Sequence, residues 1–141
     1  MKEKDTTDLQ SELMSAPDLG RFLSENEDKF NSETFTDLLQ SLFRTKKISK
    51  AALAKKAGIS NVYLYQIFSG ERNPSRNRIL CLCFGLNATL DESQEMLKRS
   101  GFAQLYVKEK RDAIIIYALS HSMTLDEVND QLFLEHEETL C

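Results

Sequence analysis

The chain has 141 residues, of which 41% are apolar, enough for one main domain with a sizeable core. No apolar run is long enough to cross a bilayer, and the opening MKEKDTTDLQSEL is too polar for a secretory leader, so a cytoplasmic protein with no membrane partner is expected. The net charge of -4 would argue against nucleic acid if it were spread evenly, but residues 44 to 80 hold nine basic side chains against one acid, +8, between flanks of -6 each.

In chain order, strand alternation is absent and the periodicity is helical, which predicts an all-α fold. Leu9 and Leu13 suggest a leading turn. Leu19, Phe22 and Leu23 repeat at i, i+3, i+4 before the polar stretch SENEDKFNSE, and these pieces make an N-terminal helical arm over 1–32. Phe35, Leu38, Leu39, Leu42 and Phe43 form an apolar stripe that ends in the basic turn RTKK. Ser49 can cap a helix from Lys50 to Ala57, Gly58 supplies a positive φ just past its end, and Ser60 caps Asn61 to Ser69, closed by Gly70. After the turn ERNP, Ser75 can cap a helix whose Ile79, Leu80, Leu82, Cys83 and Leu86 belong in the core.

The chain then repeats itself at an offset of thirty-five residues: Arg76, the apolar run 79 to 84 and Thr89-Leu90-Asp91-Glu92 match Arg111, the apolar run 114 to 119 and Thr124-Leu125-Asp126-Glu127. Both TLDE segments fit a capping box, so two helical hairpins follow one another, too few for a solenoid. The second, over 102–141, is expected to pack on the first through Leu125, Val128, Leu132 and Phe133. Three cysteines are no disulfide framework; Cys81 and Cys83 on one helix point about 200° apart, and with His121, His136 and Cys141 they offer no metal-ligand spacing. Neither a phosphate loop nor a catalytic triad can be proposed, which predicts a protein that is not an enzyme, with no metal and no cofactor.

Ile48-Ser49, Leu53-Ala54, Gly58-Ile59-Ser60, Leu64, Ile67, Gly70 and the Arg72-Asn73-Pro74-Ser75 turn stand in one register inside the basic block. This pattern resembles the lambda-repressor-like (Cro/repressor) helix-turn-helix family of bacterial transcriptional regulators. The resemblance implies a five-helix DNA-binding domain over 33–101 whose recognition helix, 60–69, enters the major groove of double-stranded DNA. With Leu64 and Ile67 turned inward, Asn61, Val62, Tyr65 and Gln66 fall on the outer face, where amides can pair with adenine and a valine can meet a thymine methyl.

By the same resemblance the phosphate contacts fall to Arg44, Lys46, Lys47, Lys50, Ser60, Ser69, Arg72, Asn73 and Arg76. Many family members carry glutamine where this chain has Lys50; the lysine keeps a phosphate contact but removes an amide that braces a base-reading neighbour. Neutralising about six phosphates would give a log–log salt slope of roughly -5. The family implies a homodimer on a pseudo-palindromic site, with the second hairpin or the arm as its surface. A second reading keeps the helix-turn-helix as a scaffold for a protein partner, in an adaptor or antitoxin-like regulator. The acidic flanks and the appended hairpin suit that alternative.

Overall fold

A computed structural model describes residues 6–27 and 34–141, and among these every regular element is an α-helix. The first five residues, and residues 28–33 of the polar stretch expected to end the arm, lie outside the described residues. The chain forms two compact units, Met1–Ser32 and Glu33–Cys141.

In the first unit, α1 (Thr6–Ser15) and α2 (Leu19–Glu25) pair, with Asp18 capping α2 by accepting from the Gly20 amide at 3.2 Å. Phe22 and Asn26 are buried, and the Asn26 amide donates to the Glu12 carboxylate at 2.9 Å. Of the other apolar side chains expected to build this unit, Leu9 is half-buried, whereas Leu13, Leu19 and Leu23 are exposed. Two short helices cannot cover an apolar stripe on each other.

The second unit runs α3 (Phe35–Lys46), α4 (Lys50–Lys56), α5 (Asn61–Ser69), α6 (Arg76–Gly85), α7 (Leu90–Arg99), α8 (Lys110–Ser120) and α9 (Leu125–Leu134). Its helices start where short oxygen-bearing side chains satisfy the free amides of the first turn: Ser49, Ser60 and Ser75 accept from the backbone of Ala52, Tyr63 and Arg78. Thr34, Thr89 and Thr124 form full capping boxes. Gly58 and Gly70, at φ 66° and 82°, end α4 and α5 in the left-handed region, which lets α5 leave α4 through a tight turn. A single core joins both hairpins to the helix-turn-helix, with Leu53, Leu64, Ile67, Ile79, Leu80, Leu82, Met96, Ile115 and Leu132 almost fully buried. Where α4 crosses α6, a Cβ placed on Gly85 would stand 2.9 Å from Leu53 Cδ1 and 3.2 Å from the Ala57 nitrogen, so the close approach depends on that glycine. Phe133 departs from expectation and is 74% exposed. Leu125, Val128 and Leu132 already define the inward face, and one further residue turns Phe133 about 100° away from it.

The thirty-five-residue repeat is physical as well as textual. Arg76 Nε donates to Ala103 O at 3.0 Å and Nη2 to Gln104 O at 3.4 Å; Arg111 Nε donates to Glu138 O at 2.7 Å and Nη2 to Thr139 O at 3.2 Å. Gln94 Oε1 accepts from the Leu105 amide at 2.7 Å, and Asn129 Oδ1 from the Leu140 amide at 2.8 Å. Leu105 and Leu140 are both buried. Each hairpin is thus closed by the segment that follows it, held at one end by an arginine and at the other by an amide side chain. The two arginines also cross over: Arg76 binds the Asp112 carboxylate at 3.2 Å, and Arg111 binds Asn77 Oδ1 at 3.1 Å, Asn77 and Asp112 being equivalent positions of the repeat.

Candidate nucleic-acid interface

Helix α5 is bound on one face and open on the other. Leu64, Ile67 and Phe68 are buried, and Phe68 meets Phe43 of α3 edge-on at 5.2 Å. Asn61 is exposed, Val62 is 67% exposed and Tyr65 56%. Gln66 is half-buried; its Oε1 accepts from Arg72 Nε at 3.0 Å, and its backbone carbonyl accepts from the Arg72 amide at 3.2 Å and the Ser69 hydroxyl at 3.1 Å. The turn after α5 therefore folds back on the helix and brings a guanidinium beside a candidate base-reading amide.

Lys50 stands at the edge of the same surface, its ammonium 5.0 Å from the Tyr65 ring centroid and 4.9 Å from that of Phe68. Aromatic faces attract a cation without neutralising it, so the charge is positioned and still free to meet an anion. Lys50, Tyr65, Phe68 and Ser69 line a cleft of about 360 Å³ with Arg44 and Gln40 of α3. Three sequence-predicted phosphate residues, Arg44, Lys50 and Ser69, are thereby brought together. Lys47 and Asn73 are exposed, and Ser60 caps α5.

Two predicted phosphate residues have other partners. Lys46 Nζ is 2.9 Å from Glu92 Oε1, a carboxylate already bonded to the Thr89 amide in the α7 capping box. Arg76 is engaged by Ala103, Gln104 and Asp112, as described above, and Asp112 is only 8% exposed. An arginine with a buried carboxylate and two carbonyls around it serves the fold rather than a ligand. Two residues on this surface fall outside the sequence prediction. Arg78 lies 5.9 Å from the Tyr63 ring centroid, with Arg72 at 5.2 Å, so both guanidinium groups sit against one tyrosine. Gln40 Nε2 donates to Phe68 O at 3.3 Å and joins α3 to the end of α5. Both contacts are made in space between separate elements, which no spacing rule reports.

Among the described residues no group of three His, Cys, Asp or Glu side chains is placed to hold a metal ion, and no helix is long and apolar enough to cross a membrane. Residues 39–92, from within α3 to the first turn of α7, match the family model described as Helix-turn-helix. No curated protein and no solved structure matches the chain. The match covers the segment that holds the capped α4–Gly58–α5 turn, so over these residues the chain is similar to the helix-turn-helix family.

Proposed function

We propose that the protein is a sequence-specific transcriptional regulator that lays α5 in the major groove of double-stranded DNA. The observation that carries this reading is the outer face of α5, where Asn61, Val62, Tyr65 and Gln66 stand beside Lys50, Arg72 and Arg44. Asn61 and Gln66 supply hydrogen bonds to base edges, and Val62 supplies an apolar contact for a thymine methyl. Arg44, Lys47, Lys50 and Arg72 provide the charge that binds phosphates, while Ser60, Ser69 and Asn73 supply uncharged donors. With Lys46 and Arg76 engaged elsewhere, four cations remain, and the expected log–log salt slope becomes roughly -4.

A homodimer, with half-sites about one helical turn apart, fits this docking. Phe133 and Leu134 of α9, 74% and 65% exposed, are its candidate apolar contacts. The test is a fluorescence anisotropy titration with duplexes selected from a random pool, repeated at two salt concentrations. Enrichment of one motif and a salt slope near the stated value support the proposal. Absence of salt-dependent duplex binding would overturn it in favour of a scaffold for a protein partner.

A further inference from the structure

The segment after α9 brings two of the three thiols together. It is held by Arg111 through the carbonyls of Glu138 and Thr139 and by Asn129 through the Leu140 amide, with Leu140 buried. Cys81, on the core helix α6, donates its Sγ hydrogen to Leu140 O at 3.8 Å, the carbonyl of the peptide bond that leads into Cys141. Cys141 follows that carbonyl directly, and its sulfur accepts from Asn129 Nδ2 at 3.3 Å. Cys83 is fully buried next to Ser93 on another side of α6.

The two neighbours differ in access. Cys81 is 0% exposed, whereas Cys141 is exposed and lines a cavity of about 600 Å³ together with Lys55, Lys56, Gly58 and Met123. A small polar oxidant can reach Cys141 through that cavity.

We propose that Cys81 and Cys141 form a dithiol site that reacts with a small hydroperoxide, and that the resulting disulfide ties the segment after α9 to α6. The Cys141 thiolate attacks the terminal peroxide oxygen, the O–O bond breaks, and Cys141 becomes a sulfenic acid as water or an alcohol leaves. The Cys81 sulfur then attacks that sulfenic sulfur; the S–S bond forms, and the departing hydroxide takes the Cys81 proton as water. Two thiols lose two protons and two electrons, and the peroxide is reduced by two electrons. Burial pushes the Cys81 thiol up to about 12, with the nearby Cys141 adding to the rise, so the exposed Cys141 reacts first.

The experiment treats the full chain with equimolar hydrogen peroxide, alkylates the remaining thiols after unfolding and maps a non-reducing digest by mass spectrometry. A Cys81–Cys141 peptide pair is expected, with Cys83 alkylated. The cross-link closes a long loop in the unfolded chain, so Tm should rise by about 15 °C and return on reduction. Cys141→Ser, at an exposed position, should fold, form no cross-link and show no Tm shift, while Cys83→Ser keeps both responses. Cys141 found only as sulfinic acid, as an intermolecular disulfide or linked to Cys83, with Cys81 still free, would overturn the proposal. So would a Cys81–Cys141 link that leaves Tm unchanged.

Discussion

Replacing Gly85 with alanine should destabilise the helix-turn-helix although alanine is the better helix former. In an open helical position the change is worth about 0.5 to 1 kcal/mol in favour of alanine. At Gly85 the new methyl would meet Leu53 Cδ1 at 2.9 Å, Ala57 Cβ at 3.1 Å and the Ala57 nitrogen at 3.2 Å. Leu53 and Ala57 are both completely buried, and the nitrogen is main chain donating to Leu53 O at 2.8 Å, so neither side of the contact can simply rotate away. Overpacking of this kind costs about 1 to 3 kcal/mol, which exceeds the propensity gain and leaves a net loss of about 1 to 2 kcal/mol. For a unit of this size that lowers Tm by about 4 to 8 °C. Thermal unfolding followed by circular dichroism measures it. A Tm equal to or above that of the parent would refute the tight α4–α6 crossing.

Asn61→Ala should cost about 1 to 3 kcal/mol on a selected duplex and little on random DNA, whereas Lys50→Ala should weaken both alike and reduce the salt slope by about one; parallel titrations on the two duplexes distinguish them. Arg76→Met should leave the salt slope unchanged and lower stability by about 1 to 3 kcal/mol in urea unfolding, because it breaks a partly buried pair and leaves Asp112 with the Tyr106 amide as its remaining donor. At Glu92 burial works to raise the pKa, but the Thr89 amide and Lys46 outweigh it and hold the carboxyl below its ordinary 4.5. A group depressed in the folded state lends stability above its unfolded value and loses it as pH falls through the folded one, so Tm should decline below about pH 4.5 and the decline should be shallower in Glu92→Gln.

What was legible in the sequence is what is decided locally. Ser49, Ser60, Ser75, Thr89 and Thr124 announce helix starts through bonds that span three residues, and Gly58 and Gly70 announce their ends by conformation alone. The repeat was visible too, because Arg76 and Arg111 recur in front of like apolar runs. The partners of those arginines were not visible. An arginine in a basic block reads as a ligand cation until Ala103, Gln104 and Asp112 are found around it, and Lys46 reads so until Glu92 is found 2.9 Å away. The same holds for the Gly85 crossing and for the meeting of Cys81 with Cys141. Each joins residues far apart in sequence, whose approach is set by packing of whole helices and leaves no mark on spacing.

The crossing over of Arg76 to Asp112 and Arg111 to Asn77 has a mechanical meaning. Because each arginine grasps its counterpart's neighbour, sliding one hairpin along the other by a single turn would break both grips together. The two hairpins are thereby fixed in one register against each other, and a change of register at α8 and α9 is resisted at α6.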